Sequence, residues 1–185
     1  MKKYFVAGNK LLAFNAKCCT SSLVREIIRT FYPDIEQFIQ AAAYPDGKNA
    51  ENTRHHRWIP ARVNPDRPVV QVVRDPVERF RSSMAELGLD DVDATLEELR
   101  TEAGEYGRGP RGNLLAANVH FLPQARFDGD ITYYKNADDA AAALGLQTPL
   151  PVINESGTKP TLTEQQASAV RAWYAEDVAL WESLE

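Results

Sequence analysis

Two short stretches of the chain concentrate the residue types that hold anions. The first is Asn15-Ala16-Lys17-Cys18-Cys19-Thr20-Ser21-Ser22, a lysine followed closely by three hydroxyl side chains. If a strand runs into this stretch and a helix leaves it, unpaired backbone N–H groups converge with Lys17 on one point, the geometry of a phosphate or sulfate cradle. The bland alternative is a helix cap beside a solvated lysine. No glycine occurs here, so the GxxxxGK(S/T) loop of ATP-binding proteins is absent. The second stretch is Arg74-Asp75-Pro76-Val77-Glu78-Arg79-Phe80-Arg81-Ser82. Arg74 follows a valine-rich run, so it is expected at the carboxyl end of a buried strand, where α/β proteins bind ligands. Its planar fork can hold a phosphate bidentately. Ser82, two turns into the next helix, can converge on the same anion. Arg79 and Arg81 read instead as helix-face residues, with Arg79 pairing to Asp75 at i, i+4.

Three histidines and one acidic residue are candidates for proton transfer. His55 and His56 sit in the basic segment Arg54-His55-His56-Arg57, and histidine titrates in the range that general-base work needs. Neighbouring arginines would depress that pKa, and both residues can equally be read as surface groups. His120 and Glu51 are the other candidates. The three histidines have no ligand partners at metal-binding spacing, and no CxxC pattern exists, so no metal site is expected. Adjacent Cys18 and Cys19 exclude a structural disulfide framework. In that setting Cys is a small apolar residue unless redox chemistry is imposed on it.

The elements that must position these groups follow from periodicity. Tyr4–Ala7 and Leu11–Phe14 read as strands around a Gly8-Asn9 turn. A helix is expected from Thr20 to about Tyr32, with Leu23, Ile27 and Ile28 on one face, Thr20 as N-cap, and Pro33 ending it. Residues 35–43 read as a second helix and residues 44–68 as a long irregular connection. Val69–Val73 reads as a buried parallel strand. Asp75-Pro76-Val77-Glu78 has the form of a capping box with Pro at the first helical position, and the helix it opens is expected to reach Leu87. Further helices are expected at Asp93–Thr101, Leu114–Phe121 and Ala137–Leu144, and a strand at Ile131–Tyr134. A single long amphipathic helix is expected over Leu162–Leu184, capped by Thr161 with Glu164. The sum is an α/β chain with a doubly wound parallel sheet flanked by helices, in one domain.

Composition bounds the function. A chain of 185 residues can bury roughly 70% of its unfolded surface and folds without metal or disulfide. The formal net charge is −5, which argues against general nucleic-acid binding. The charge is unevenly placed, however: residues 1–81 carry 14 Lys/Arg against 8 Asp/Glu, and the remainder 7 against 18. A basic first half can hold one compact, highly anionic ligand. The N-terminal apolar run is broken by Gly8, Asn9 and Lys10, so neither a signal peptide nor a membrane span is expected, and the simplest address is the cytoplasm.

Taken together, Lys17–Ser22 and Arg74–Ser82 resemble the sulfotransferases that use 3′-phosphoadenosine-5′-phosphosulfate (PAPS), most closely the carbohydrate sulfotransferase branch. The first segment is similar to that family's 5′-phosphosulfate loop, with Cys18-Cys19 in place of its usual small residues. The second is similar to its 3′-phosphate motif nearly position for position. Asn118-Val119-His120-Phe121-Leu122-Pro123-Gln124 resembles the branch's His-x-x-Pro-Gln segment. Val152-Ile153-Asn154-Glu155-Ser156, followed by Tyr174 and Asp177, resembles its Asn-x-Ser plus Tyr-x-x-Asp pattern. The likeness implies a P-loop-like fold, with a PAPS-binding core over residues 1–90 and a helical completion over 91–185. It further implies that Lys17 contacts the 5′-phosphosulfate, aided by the backbone amides of Cys18, Cys19, Thr20, Ser21 and Ser22 and the Thr20 and Ser21 hydroxyls. Arg74 and Ser82 would hold the 3′-phosphate, and His55 or His56 would serve as base. The expected reaction moves a sulfuryl group from PAPS to a carbohydrate or small-molecule hydroxyl, releasing PAP. The alternatives are a non-catalytic PAP-binding protein of the same fold and a nucleotide or metabolite kinase. Against the kinase stand the missing Walker glycines and the lack of a clear Mg²⁺ carboxylate. Residues 44–66 and 104–113, including Trp58, Arg108 and Arg111, are the candidate acceptor platform.

Overall fold

The computed structural model describes residues 3–13, 18, 20–32, 58–60, 67–104, 120–127, 130–151 and 157–184. Their contacts divide the chain into two compact units: residues 1–73 with 127–155, and residues 74–126 with 156–185.

The first unit is built on a mixed sheet. Strands β1 (Lys3–Ala7) and β2 (Lys10–Ala13) form an antiparallel hairpin, closed by Gly8 and Asn9. Gly8 has φ +59°, a backbone conformation that costs a side-chain-bearing residue about 1 kcal/mol or more. Strand β3 (Trp58–Pro60) adds to β1 antiparallel. Strand β4 (Val69–Val72) runs parallel to β2 on one side and to β5 (Ile131–Tyr134) on the other, giving the order β3-β1-β2-β4-β5. Burial of all four β4 residues is what a central parallel strand requires.

Alternation along β1 sorts side chains to two faces. Phe5 and Ala7 join a cluster with Leu12, Val70 and Val72, while Tyr4 joins Leu11, Ala13, Val69 and Phe127 in another. Helix α1 (Thr20–Phe31) covers the first cluster with Leu23, Val24, Ile27 and Ile28, the i, i+1, i+4, i+5 stripe of an amphipathic helix. Tyr32, just past its end, donates to the Val6 carbonyl at 3.1 Å. On the same cluster lies the short helix α4 (Ala137–Ala143), capped by Asn136, whose side chain accepts from Asp138 N, and followed by Gly145 at φ +75°. Arg29 of α1 reaches Gln147 beyond that helix at 2.6 Å.

The chain leaves β4 through Val73, whose N–H makes a last bond to the Tyr134 carbonyl, and Arg74 opens the second unit. This unit is helical. Helices α2 (Pro76–Leu87), α3 (Val92–Gly104), α5 (Glu164–Trp173) and α6 (Ala175–Ser183) surround a core of Phe80, Met84, Val92, Leu96, Leu99, Phe121, Val170 and Tyr174. The connection from β4 to β5 spans residues 73–130 and holds both α2 and α3 rather than one helix.

Several expectations hold, among them the hairpin, α1, the buried strand at 69–72, and α2 with its Asp75 cap, whose carboxylate accepts from Glu78 N at 2.9 Å. Others are corrected. The sheet is mixed rather than wholly parallel, because the tight Gly8-Asn9 turn leaves β1 and β2 no choice but to run antiparallel. The connection read as irregular over 44–68 contains β3. The expected single C-terminal helix is two, broken at Tyr174 (φ −106°, ψ 39°), and its cap is Thr163 with Gln166 in a reciprocal capping box, not Thr161 with Glu164. Glu78 does not complete a capping box either; its carboxylate goes to Arg81 and Lys159. The helices expected at 35–43 and over 114–119 lie outside the described residues.

Gly8 and Gly88 both have positive φ, but a Cβ at Gly8 would stand 3.2 Å from the Phe31 ring, whereas Gly88 faces open space. Gly8→Ala is expected to cost about 2 kcal/mol and Gly88→Ala about 1 kcal/mol, read as the shift in urea midpoint of each variant. Equal losses would show that the ring contact adds nothing.

Candidate functional site

The N-terminus of α1 is the first anion candidate. Thr20 is its first helical residue, so the free N–H groups of the opening turn belong to the segment the sequence singled out. No acidic side chain lies in that turn. Each of the other five described α-helices carries Asp or Glu there: Glu78, Asp93, Asp138 and Asp139, Glu164, and Glu176 and Asp177. An acid at such a position neutralises the partial positive charge of the helix end, and α1 has none of its own to do so. Cys18 is fully buried and packs in the apolar cluster under α1, as a small hydrophobe does. Ser22 is buried as well, at 6% exposure. Lys17 and Cys19, and the side chains of Thr20 and Ser21, lie outside the described residues.

The second candidate belongs to the other unit. Arg74 is half-buried in the three-residue link between β4 and α2. Ser82 is fully buried on α2, and its Oγ has no hydrogen-bond partner among the described residues. The intervening charges are occupied. Burial by itself would raise the Glu78 carboxyl, but Arg81 in contact with it and Lys159 at 3.5 Å outweigh that and hold it below the usual range. Arg81 Nε also donates to the Pro160 carbonyl at 2.7 Å.

Arg79 corrects the sequence reading most. It is not a helix-face partner of Asp75 but is fully buried, the largest such side chain among the described residues. Its guanidinium donates to the carbonyls of His120 and Leu122, lies 3.8 Å from Asp177, and sits 5.8 Å from the centre of the Tyr174 ring. Ser83, one turn on, places Oγ 2.7 Å from the His120 carbonyl. Tyr174 donates its hydroxyl to the Phe121 carbonyl at 2.8 Å. Asp177 accepts from two consecutive amides, Gln124 N and Ala125 N, both at 2.8 Å. The segment 120–126 is thus fastened by backbone-directed bonds from α2 on one side and from the α5–α6 break on the other.

That segment in turn grips Arg74. The Gln124 amide accepts from Arg74 N–H through Oε1 and donates to Arg74 C=O through Nε2, each at 2.8 Å. Gln124 is fully buried. Three separated segments singled out in the sequence, Arg74–Ser82, His120–Gln124 and Tyr174/Asp177, are therefore joined in one hydrogen-bonded network within the second unit. His120 enters it through its backbone carbonyl. The sequence offers Arg79 only Asp75 as a partner and gives Gln124 and Asp177 no structural task of their own. The signal available was a buried-type helix position for Arg79 and the Tyr-x-x-Asp spacing, which puts both side chains on one helical face.

His55, His56, Glu51, Arg108, Arg111 and residues 152–156 lie outside the described residues. Among the described residues no group of three His, Cys, Asp or Glu could hold a metal ion, and no helix is long and apolar enough to cross a membrane. In comparisons with known proteins, no family model, curated protein or solved structure matches the chain.

Burial drives the Tyr174 hydroxyl well above the usual tyrosine range; the Arg79 charge opposes this and Asp177 adds to it. The folded state therefore keeps a proton that the unfolded chain releases near pH 10. Its stabilisation is complete below that pH and is lost as pH rises through the folded value. Tyr174→Phe should flatten the fall in urea midpoint between pH 9 and 11, at a cost of about 1 kcal/mol at neutral pH from the bond lost at the Phe121 carbonyl. Asp177→Asn, which strands Arg79, should cost about 3–5 kcal/mol at pH 7, as measured by denaturant unfolding.

Proposed function

We propose that the protein is a PAPS-dependent sulfotransferase acting on a hydroxyl of a carbohydrate or small molecule. The observation that carries this reading is the network just described: three separated segments that resemble motifs of one family are fastened to each other around Arg74. The acid-free first turn of α1, which begins three residues after Lys17, is the second support.

PAPS supplies the sulfuryl group, whose bond to the 5′-phosphate breaks as the acceptor oxygen bonds to sulfur. Lys17 and the amides of the 18–22 segment neutralise the charge that gathers on the departing phosphate, a preorganised electrostatic role. Arg74 binds the 3′-phosphate with a bidentate fork, and the buried Ser82 Oγ, which has no hydrogen-bond partner among the described residues, donates its proton to the same group. His55 or His56 takes the acceptor hydroxyl proton. The reading carries with it a P-loop-like, doubly wound sheet and a cytoplasmic address.

Calorimetry with PAP and transfer of labelled sulfate from PAPS across a panel of sugars and small alcohols test it. PAP is expected to bind and to raise the melting temperature, and Lys17→Ala to lower transfer by about a hundredfold or more, the scale of losing one preorganised charge contact. PAP binding without transfer to any acceptor would favour a non-catalytic nucleotide-binding protein. Magnesium-dependent ATP turnover without PAP binding would point to a kinase. Either result overturns the proposal.

A further inference from the structure

Resting on the reading of Arg74 as the 3′-phosphate ligand, we infer that Gln124 is its positioning residue, and that Asp177 locks Gln124 in place. Arg74 stands beyond the last ladder bond of the sheet, which is made by Val73 N–H to the Tyr134 carbonyl. Past that bond no strand fixes its backbone, and the helical bonds of α2 begin one residue later, with the Asp75 carbonyl accepting from Arg79 N–H at 2.9 Å. A residue in such a link ordinarily samples several φ/ψ states, and each would send its side chain in a different direction.

The Gln124 amide removes that freedom. A single planar group bonded to both the N–H and the C=O of one residue fixes the peptide planes on either side of Arg74, and with them the Cα–Cβ direction. The donor and acceptor order is unambiguous, because a backbone N–H can only donate and a carbonyl only accept. Gln124 does not touch the ligand in this role. Its side chain is spent on Arg74, its own N–H is held by Asp177 Oδ2, and the neighbouring Ala125 N–H by Oδ1. Asp177 is itself 1% exposed, which leaves it no solvent-facing alternative. The chain of command runs from the first turn of α6 through Gln124 to the backbone of Arg74. A fork aimed at a phosphate tolerates little angular error, so binding of the 3′-phosphate should depend on an amide that never contacts it.

The test compares PAP with adenosine 5′-phosphate, which lacks the 3′-phosphate, in the full-length chain. Wild type is expected to prefer PAP. Gln124→Met, similar in volume and without the amide, should lose about tenfold in PAP affinity and nothing in adenosine 5′-phosphate affinity, with faster hydrogen exchange at the Arg74 amide. Gln124→Glu provides the rescue: a protonated carboxyl reproduces the amide's acceptor and donor, whereas a carboxylate cannot donate to the Arg74 carbonyl. Its PAP preference, normalised to wild type at each pH because the 3′-phosphate itself titrates near pH 6, should therefore rise on acidification. If Gln124→Met does not fold, this pH profile carries the test alone. A wild type with no preference for PAP overturns the functional reading and this role with it. A wild-type preference that Gln124→Met retains, or a flat Gln124→Glu profile, overturns the positioning role alone.

Discussion

The second unit depends on one buried carboxylate. Asp177 has almost no contact with water, so its charge must be compensated within the protein or not exist there. The structure compensates it three ways, with the Arg79 guanidinium and with two consecutive peptide N–H groups of the 124–125 turn. Each compensating group imposes a requirement on its own element. Arg79 must come from the inner face of α2, which sets the rotation of that helix. The turn must close so that two amides point the same way. The C-terminal helices must break at Tyr174, so that α6 starts afresh with Asp177 in its first turn, where its charge also suits the helix end.

From that node the consequences run outward to the site. Closing the 120–126 turn buries Gln124, and a buried amide must find partners for both its donor and its acceptor. It finds both on Arg74. The same turn exposes carbonyls at 120, 121 and 122, and these are taken by Arg79, Ser83 and Tyr174. Polar groups of three separated segments thereby satisfy one another within the second unit. In low dielectric such a network stabilises when complete and destabilises when any member is missing, which ties the geometry around Arg74 to the integrity of the whole unit.

The first unit differs from the second in the polarity of its helix ends. Five of the six described α-helices begin with an acid that offsets their own dipole, and α1 does not. Cys18, Leu23, Val24 and Ile27 pack that end of the helix into the apolar cluster. The basic excess of the first 81 residues, noted from composition, acquires a more specific meaning beside it. Several of those charges are ordinary structural partners. Lys10 donates to the Ala143 carbonyl, Arg29 meets Glu26 and Gln147, and Arg81 is held by Glu78 and Pro160. A charge count marks a region; it does not separate binding groups from struts.

What the sequence determined by itself is a set of features governed by neighbours within four residues. The β1–β2 hairpin follows from Gly8-Asn9, the buried strand from consecutive valines, the start of α2 from Asp75-Pro76, and the α1 stripe from its 3.6-residue period. Those features rest on backbone geometry and local burial, which a short window contains. Tertiary structure alone decided where the polar groups of α2, the 120–126 turn and the C-terminal helices find their partners. Arg79 looked like a surface partner of Asp75 because i, i+4 spacing is visible in sequence, yet it meets carbonyls 41 and 43 residues away. Gln124 meets Arg74 at a separation of 50, and Asp177 meets Gln124 at 53. Local spacing offers a charge its nearest opposite, but burial withdraws water as a competitor and gives it instead to whichever segment closes over it, and that choice is made only when the helices pack.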